Sequence, residues 1–373
     1  MTPTRVLLQN PWVAPYRLAV FDAIRSRPEL DVTFAVGKPL GEADASQDLA
    51  SRGARIIDVG NQFPFRRGTR SLITLQGGLL AQVDRKRFDV MIASFDPRMV
   101  MNLLAMRKAR RLGIPFIWWG HGVRPRGRFA SFYKRLVDKA SAVIVYDGEG
   151  KERLVRLGVS PNKVFVAWNS VDTAEIARLR QPYHADDRSD VLYIGRLVAS
   201  KKVDLLLRGF SLFAASGMSP EVRLTVLGSG PEETALKSLA ESLGIAQNTE
   251  FIPGMYEQSQ IAPYFNRSVV HACGGYVGLS VIQSLAFGVP VVAPSGEPHS
   301  PEIAALEDRV NSRFFARDSA DDLAQVLTDC FADRAGLDRQ SAAGIKKVSG
   351  QFSVEAMAAT FVEAVDFVKG CAV

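Results

Sequence analysis

Two cations, Arg196 and Lys201, flank a turn near the start of the second half of the sequence, and their types and spacing suit the binding of an anion. An apolar run ends at Ile194, Gly195 follows it, and a helix-like segment begins near Val203. The free amides at a helix N-terminus, together with an arginine and a lysine, can hold the oxygens of a diphosphate. A surface turn with solvated charges has the same pattern, so these residues alone leave both interpretations open.

Two further glycine-rich segments follow along the chain. Gly228 and Gly230 permit a tight turn after an apolar run. The third segment, Gly274–Pro294, contains a glycine-rich loop that opens a helix near Leu279. Backbone amides near Gly278 and Leu279 are therefore further candidates for binding a phosphate.

In their order and spacing, these three segments resemble the retaining glycosyltransferases of the GT-B fold, in the large family 4 group. The matching residues are in register over Gly195–Lys201, Gly228–Pro231 and Gly278–Val291. The resemblance implies that Arg196 and Lys201 hold the diphosphate of a nucleotide-sugar donor. The donor-binding residues that it implies around these cations are Gly195, Gly228, Gly230, Gly278, Leu279, Gln283 and Glu302.

The chain departs from this family at two positions, eight residues apart, where the family has glutamate and this sequence has Gly275 and Gln283. The resemblance implies that the first position contacts the donor sugar and the second holds the ribose hydroxyls. Gln283 keeps an amide that can hydrogen-bond a ribose, whereas Gly275 offers only backbone. The later segment His299–Glu302 is similar to one found in polysaccharide-assembly members, which makes Glu302 a donor-site candidate. A helix-capping or solvated glutamate is the alternative.

In the first half, His121 stands between two glycines directly after the apolar run Pro115–Trp119. Loops at this end of parallel strands carry function in doubly wound sheets. The resemblance implies that His121 lies beside the donor sugar and helps to position it. Asp96 follows another apolar run, Phe88–Ser94, and is either an acceptor contact or the cap of a helix that begins near Arg98.

The loop after the first predicted strand lies where such enzymes bind their acceptor, so Trp12, Tyr16 and Arg17 are candidate acceptor contacts. Arg124 is a further candidate, at the start of a segment, Arg124–Lys139, that interleaves Arg and Lys with Phe, Tyr and Leu. This composition is typical of a helix on an anionic membrane surface, and it also fits recognition of a lipid diphosphate. Alternatively, the aromatic side chains pack inward and the charges are solvated.

The elements that must position these residues alternate along the whole chain. Short runs rich in Val, Ile and Phe are separated by helical stretches, predicted for example over Tyr16–Arg27, Ser71–Arg87 and Met99–Leu112. This alternation predicts α/β domains with parallel, doubly wound sheets. The polar segment 181–190 interrupts the alternation and reads as a linker.

We therefore predict two doubly wound, Rossmann-like domains that face each other across a cleft, the arrangement called GT-B. Their predicted bounds are 1–180 for the acceptor-binding domain, 181–190 for the linker, 191–350 for the nucleotide-sugar-binding domain and 351–373 for a C-terminal helix that returns toward the first domain.

Composition bounds the class of protein. The 373 residues are 47% hydrophobic and 23% charged, as in an ordinary globular protein long enough for two domains. Residues 1–180 carry 30 Lys and Arg against 16 Asp and Glu, a charge of +14, so the remainder of the chain carries −7 to reach the net +7. Such asymmetry indicates that the first half faces an anionic membrane surface or another polyanion, unless it is simply a solvated basic surface.

The remaining sequence signals bear on location and cofactors. The three cysteines are widely spaced, which argues against a disulfide framework and a zinc site and favours a reducing compartment. The segment Met1–Arg5 enters a strand pattern at once, so we expect no signal peptide. We expect a cytoplasmic protein, or one peripheral on the inner face of the plasma membrane, with no metal and no cofactor.

Together these features predict a retaining hexosyltransferase that uses a UDP- or GDP-linked sugar and a lipid-linked or polysaccharide acceptor, with His121, Arg196 and Lys201 as catalytic residues. A nucleotide-sugar epimerase of the same fold is an alternative, although only Asp96 and Glu302 offer acid/base carboxylates. A catalytically degenerate sugar- or lipid-binding protein is another. Nucleic-acid binding is not expected, because no nucleic-acid module accompanies the basic half.

Overall fold

A computed structural model describes residues 2–41, 43–67, 70–96, 98–121, 129–217 and 221–371 of the chain. The chain forms two compact units: the first unit comprises Met1–Asn169 with Val354–Val373, and the second unit comprises Ser170–Ser353. Within the described ranges, no helix combines the length and the apolar character needed to cross a lipid bilayer.

Strands and helices alternate through both units. The strands are β1 (Thr4–Gln9), β2 (Leu30–Val36), β3 (Arg55–Asp58), β4 (Asn61–Arg67), β5 (Arg70–Gln76), β6 (Val90–Ser94), β7 (Phe116–Gly120), β8 (Ala142–Val145), β9 (Val164–Val166), β10 (Asp190–Ile194), β11 (Leu224–Leu227), β12 (Thr249–Ile252), β13 (Ser268–Ala272), β14 (Val291–Pro294) and β15 (Ser312–Phe315). The α-helices are α1 (Leu18–Arg25), α2 (Ser46–Ser51), α3 (Leu79–Gln82), α4 (Val100–Arg111), α5 (Phe129–Lys139), α6 (Gly148–Arg156), α7 (Thr173–Leu179), α8 (Val203–Ala215), α9 (Glu233–Ser242), α10 (Gln258–Arg267), α11 (Ser280–Ala286), α12 (Ala320–Ala332), α13 (Arg334–Gln351) and α14 (Val354–Gly370).

The first unit is built on a parallel sheet with the strand order β3-β2-β1-β6-β7-β8-β9. The strand order reverses direction at β1, so the loops after β1 and β6 diverge and leave a crevice at the carboxyl edge of the sheet. Strands β4 and β5 form a separate antiparallel hairpin.

The last helix, α14, completes the core of the first unit. It packs along α1 and against β8 and β9. Phe361 is fully buried, with its ring centroid 4.9 Å from that of Trp119 on β7. The chain therefore returns to its first unit after the second unit is complete.

The second unit repeats the plan of the first with the strand order β12-β11-β10-β13-β14-β15, all parallel. Apolar runs such as Val191–Ile194 are buried on both faces, because helices cover both sides of the sheet. Its strand order reverses at β10, which places the loops after β10 and β13 at the carboxyl-edge crevice.

The predicted α/β class with two mostly parallel sheets is confirmed. The predicted domain bounds differ from the observed division, because the change of unit falls between Asn169 and Ser170. Helix α7, assigned from sequence to the first domain, packs against α10 and α11 of the second unit. The polar segment 181–190 lies inside the second unit, where Arg188 is buried and donates to the carbonyl of Phe265.

The helix predicted over Ser71–Arg87 is wrong: the segment forms β5, then a turn, then the short helix α3. The β-branched Ile73 and Thr74 favour a strand, and pairing with β4 supplies the backbone partners. The strand pairs with the segment directly before it in the chain, and a search for helical periodicity does not detect such pairing.

Replacing Phe361 tests the contribution of α14 to the first unit. We expect Phe361→Ala to lower the free energy of unfolding of this unit by about 3–5 kcal/mol, because it leaves a cavity beside Trp119. All four tryptophans, Trp12, Trp118, Trp119 and Trp168, lie in the first unit, so tryptophan fluorescence during guanidinium unfolding reports on it. The exposed Glu363→Ala on the same helix is the control, and equal effects of the two variants would contradict this packing.

Candidate functional site

The loops that follow β10 and β11 lie against each other at the carboxyl edge of the second sheet. The amide of Leu197 donates to the carbonyl of Ser229 at 3.0 Å. A Cβ at Gly228 would overlap the carbonyl oxygen of Gly195, and a Cβ at Gly230 would overlap that of Leu197. Both glycines are therefore required by the close approach of two backbones.

The loop after β13 closes over the short 3₁₀ helix Ala199–Lys201. The amide of Tyr276 donates to the carbonyl of Ser200 at 3.0 Å, and the Lys201 ammonium donates to the carbonyl of Tyr276 at 2.8 Å. A Cβ at Gly275 would lie 2.7 Å from the oxygen of Ser200. The position where the resembling family has glutamate thus has no room for a side chain here.

Lys201 is a partly buried cation at the centre of this assembly. Burial lowers the pKa of its ammonium; Cys273 and Glu302 oppose this effect, and Arg196 adds to it. Its Nζ lies 3.4 Å from the place where a Cβ at Gly278 would stand. The structure thus gathers the candidates Arg196, Lys201, Gly278 and Glu302 around one positive centre.

Arg196 is exposed on the turn after β10. Within the part of the chain that the structure describes, its guanidinium forms no ion pair. An arginine in this state is able to bind an anionic group in a bidentate manner.

The segment that contains Glu302 holds the glycine-rich loop in place. Val277 donates its amide to Nδ1 of His299 at 3.2 Å, and Ser300 donates its hydroxyl to the carbonyl of Val277 at 2.9 Å. Because Nδ1 accepts a hydrogen bond, Nε2 carries the proton and donates to the carbonyl of Pro294 at 2.8 Å. Burial lowers the pKa of His299, which keeps this neutral form. Glu302 itself is buried.

Gln283 and Leu279 lie at the start of α11. Leu279 immediately precedes the helix, and Gln283 is buried in its first turns. The Gln283 amide donates to Gln258 Oε1 on α10 at 2.7 Å. The predicted ribose contact is therefore already engaged with a neighbouring helix, and a ribose would have to share or displace this hydrogen bond.

An ion-pair network that sequence reasoning missed ties the loop after β14 to the start of α8. Lys202 has the left-handed backbone conformation, with φ of 47°. Its ammonium contacts Glu297 at 2.7 Å and Asp318 at 2.6 Å, and Arg317 contacts Glu297 at 2.9 Å. Lys202 is separated from Glu297 by 95 positions and from Asp318 by 116 positions in the sequence, so no local sequence pattern predicts these ion pairs.

His271, on β13, is a fully buried histidine whose charge state Lys201 influences. Burial, with a smaller effect of Lys201, lowers the pKa of His271 to about 3. Its Nε2 lies 3.6 Å from Cys273 Sγ, and its Nδ1 has no hydrogen-bond partner among the described residues. His271 therefore stays neutral in the folded unit at ordinary pH.

A cavity of about 560 Å³ opens in the first unit at the carboxyl ends of β1, β6, β7 and β8. Its volume is that of a small-molecule site. It collects every described candidate that the sequence offered in this half, namely Trp12, Tyr16, Arg17, Asp96 and His121. Arg124 lies outside the described residues. The roles assigned to these residues stay predictions.

Three aromatic rings surround the Arg17 guanidinium in this cavity. Its Cζ lies 4.7 Å from the ring centroid of Trp119, 5.4 Å from that of Tyr146 and 5.5 Å from that of Tyr16. Its Nη2 donates to the Tyr146 hydroxyl at 2.6 Å. Burial works to lower the pKa of Arg17, but the Tyr146 and Tyr16 hydroxyls outweigh it, so the pKa is raised. The ring of His121 lies 4.8 Å from Tyr146.

Asp96 does not cap α4, because Met99 is the N-cap residue of that helix and no side chain caps it, and its role as an acceptor contact stays a prediction. It accepts hydrogen bonds from the Arg98 backbone amide at 2.9 Å and from the Arg98 guanidinium at 2.6 and 3.0 Å, which shapes the turn before α4. It nevertheless also lines the cavity.

A network of buried amides lies beneath the cavity and was not predicted. Gln9 Nε2 donates to Gln76 Oε1 at 2.6 Å, and Gln9 Oε1 accepts from Asn102 Nδ2 at 2.8 Å. Gln76 Nε2 donates to Asn61 Oδ1 at 2.9 Å and to the carbonyl of Asn10 at 3.2 Å. The network fixes the loop after β1 to the β4–β5 hairpin. Strand β5 of this hairpin lies in the segment for which the sequence predicts a helix.

The basic and aromatic segment Arg124–Lys139 is described from Phe129, where α5 begins. Tyr133 turns inward to line the cavity, with its ring 5.8 Å from Phe95, whereas Phe132 is exposed. Membrane binding by this segment stays a prediction. Among the described residues, no group of three or more His, Cys, Asp or Glu side chains is arranged to hold a metal ion.

Two family models match the chain. The model described as Glycosyltransferase Family 4 matches residues 28–175, and the model described as Glycosyl transferases group 1 matches residues 175–347. The two matches meet close to the division between the two units.

Curated relatives match shorter stretches. An uncharacterized glycosyltransferase from Haemophilus influenzae is 31% identical over 115 residues, which are 30% of this chain and 31% of the relative. The D-inositol 3-phosphate glycosyltransferase of Mycobacteroides abscessus is 30% identical over 177 residues, 43% of this chain and 38% of the relative. The alignments thus span about a third of the length of these relatives.

A solved structure shares the fold over nearly the whole chain. The crystal structure of Anabaena HepE in complex with UDP aligns with a TM-score of 0.72 and 15% identity, covering 97% of this chain and 99% of that chain.

The low pKa of His271 predicts a pH dependence for the second unit. Below about pH 6.5 the His271 imidazole binds a proton in the unfolded chain but not in the folded unit, so the free energy of unfolding falls as the pH falls. Between pH 7 and pH 5 we expect His271 to remove about 2 kcal/mol from the free energy of unfolding. Urea unfolding followed by far-UV circular dichroism measures it. His271→Asn should flatten this dependence and the exposed His184→Asn should not; equal slopes in all three proteins would refute the assignment.

The closed position at Gly275 predicts that the missing glutamate cannot be restored. We expect Gly275→Glu and Gly275→Ala both to lower the melting temperature of the second unit, because the new Cβ meets the Ser200 carbonyl. Gly350→Ala, in α13 with open space around it, is the matched control and should be neutral or slightly stabilising. A gain in donor turnover by Gly275→Glu without loss of stability would show that the loop is free to open.

Proposed function

We propose that the chain is a GT-B glycosyltransferase that transfers a hexose, with retention of configuration, from a nucleotide-sugar to a lipid-linked or polysaccharide acceptor. Two glycosyltransferase family models, which match residues 28–175 and 175–347, support this proposal. The observation that carries this proposal is the convergence of Arg196, Lys201 and the glycine loops at one carboxyl edge of the second sheet. At this site the Lys201 ammonium donates to the carbonyl of Tyr276, and Arg196 is exposed at the turn beside it.

The donor binds to the second unit in this proposal. Arg196 and Lys201 take the diphosphate, the backbone at Gly228, Gly230 and Gly278 approaches it, and Gln283 with Glu302 serves the sugar and ribose. HepE, which has the same fold, was crystallised with UDP, and this supports UDP as the first donor nucleotide to test, with GDP as the second.

The cations would act chiefly on the leaving group. As the bond between sugar and phosphate breaks, negative charge develops on the nucleoside diphosphate, and preorganised cations stabilise it. We propose that the departing phosphate accepts the proton of the acceptor hydroxyl, that His121 positions the donor sugar, and that no metal or cofactor is required.

The acceptor binds in the cavity of the first unit, against Trp12, Tyr16, Arg17 and Asp96. Arg124, which lies outside the described residues, stays a candidate acceptor contact. The excess of positive charge in the first half supports work at the inner face of an anionic membrane, where lipid-linked acceptors are presented.

One alternative has a specific observation in its favour. Gly275 has no room for a side chain and Gln283 is bound to Gln258, which suits a protein that binds a sugar nucleotide without turning it over. The epimerase alternative is not favoured, because the curated relatives are glycosyltransferases and Asp96 is already paired with Arg98.

Removal of the Arg196 guanidinium tests the proposal. We expect Arg196→Ala to reduce the release of nucleoside diphosphate from UDP- and GDP-hexoses by about a hundredfold or more, because charge in the transition state loses its partner. Arg208→Ala, an exposed arginine on α8 of the same unit, is the control. Turnover close to that of the unaltered chain would refute the role of Arg196, and the absence of release from every donor in the unaltered chain would favour the binding protein.

A further inference from the structure

Three residues that line the cavity each have a buried nitrogen donor with no hydrogen-bond partner among the described residues: Nη1 of Arg17, Nε1 of Trp12 and Nε1 of Trp119. Arg17 and Trp12 lie on the same loop after β1. Buried donors are nearly always paired in folded proteins, and a charged donor is the most costly to leave unpaired.

The charges in the cavity wall do not balance. Its charged lining residues among the described part of the chain are Arg17, Arg98 and Asp96. Both oxygens of Asp96 are engaged by Arg98, at 2.6 Å for the shortest contact. Arg17 is therefore surrounded by aromatic rings and by the hydroxyls of Tyr146 and Tyr16, and none of the carboxylates in the described cavity lining is left to pair with it.

We infer that the acceptor carries a phosphoryl group and that Arg17 binds it, with Trp12 as the second donor. This inference rests on the proposed function, since it names the chemical class of the acceptor. A phosphate oxygen accepts hydrogen bonds from both nitrogens, and its negative charge balances a guanidinium that stays protonated. A phosphate group therefore supplies a hydrogen-bond acceptor for the two nitrogen donors and a negative charge that balances Arg17.

Of the three rings around Arg17, those of Trp119 and Tyr146 are buried, whereas Tyr16 is 52% exposed. Nη1 itself has almost no contact with solvent, so a phosphate can reach it only if a neighbouring side chain moves, and in this proposal the exposed Tyr16 is the one that does. Phe63, Phe95 and Tyr133 form further aromatic wall and would cover the sugar or lipid portion of the acceptor.

The test is direct binding of phosphate probes to the full chain. Inorganic phosphate, pyrophosphate and geranyl diphosphate in detergent micelles are titrated while tryptophan fluorescence is followed, because Trp12 and Trp119 adjoin Arg17. All titrations are made in the Arg196→Ala background, which weakens anion binding at the second unit, and the four tryptophans that report binding all lie in the first unit. Binding of geranyl diphosphate together with pyrophosphate indicates a lipid-linked acceptor, and binding of only the two inorganic anions indicates a water-soluble sugar phosphate.

We expect Arg17→Gln to weaken the binding of these probes by about ten- to a hundredfold, because a hydrogen bond to a charged group is lost. Trp12→Phe keeps the ring and removes only Nε1, so a loss of about three- to tenfold is expected. Arg110→Gln, which removes a positive charge from α4 outside the cavity lining, should bind as the unaltered chain does.

Unchanged affinity in Arg17→Gln, or no binding of any probe in the Arg196→Ala background, would overturn the inference. If Arg17→Gln proves unfolded by its melting curve, Trp12→Phe still decides the matter. Acceptor-free hydrolysis of the nucleotide-sugar, measured in parallel, tests the proposed function separately. If the unaltered chain shows no hydrolysis of any nucleotide-sugar, the proposed transferase function is contradicted. Normal hydrolysis in Arg17→Gln together with weakened phosphate binding supports the assignment of the acceptor separately from that function.

Discussion

The second unit depends on backbones that touch where side chains would normally keep them apart. Gly228 lies on the carbonyl of Gly195, Gly230 on that of Leu197 and Gly275 on that of Ser200. These contacts join the loops after β10, β11 and β13 into one surface at the edge of the sheet. Without them, the 3₁₀ helix that carries Lys201 would not reach the glycine-rich loop, and the two cations would be separate surface charges.

The same contacts explain the departure at Gly275. A close backbone approach and a side chain cannot occupy one place, so the loop that lacks the glutamate packs tightly on its neighbour. The stability of that arrangement comes from elsewhere: Lys202, Glu297 and Arg317 form ion pairs across it, and His299 with Ser300 binds both backbone groups of Val277. The segment has no carboxylate at position 275, and it presents a rigid, positive surface that consists largely of backbone.

In the first unit, side chains and not close backbone contacts shape the crevice at the edge of the sheet. Its crevice lies at the reversal of strand order beside β1, as in the second unit, but aromatic rings and amides line and support it. The buried Gln9, Gln76 and Asn102 hold the loop after β1 against β6 and the hairpin through hydrogen bonds between their amides. Arg17 is then held in its aromatic cage at a fixed place in the cavity wall.

Local signals in the sequence determined much of this. Alternating apolar runs determined the two parallel sheets, since a strand buried on both faces must be apolar throughout. The spacing of Gly195, Arg196 and Lys201 predicted a cationic turn at a strand end. The same reasoning predicted that four residues of the first half lie at strand ends, and the structure brings them into one cavity: Trp12, Arg17, Asp96 and His121.

Only the tertiary structure decided the rest. The return of α14 to the first unit and the closure around Gly275 depend on which distant segments meet. Such contacts form between residues tens to hundreds of positions apart, and their geometry leaves no local period in the chain.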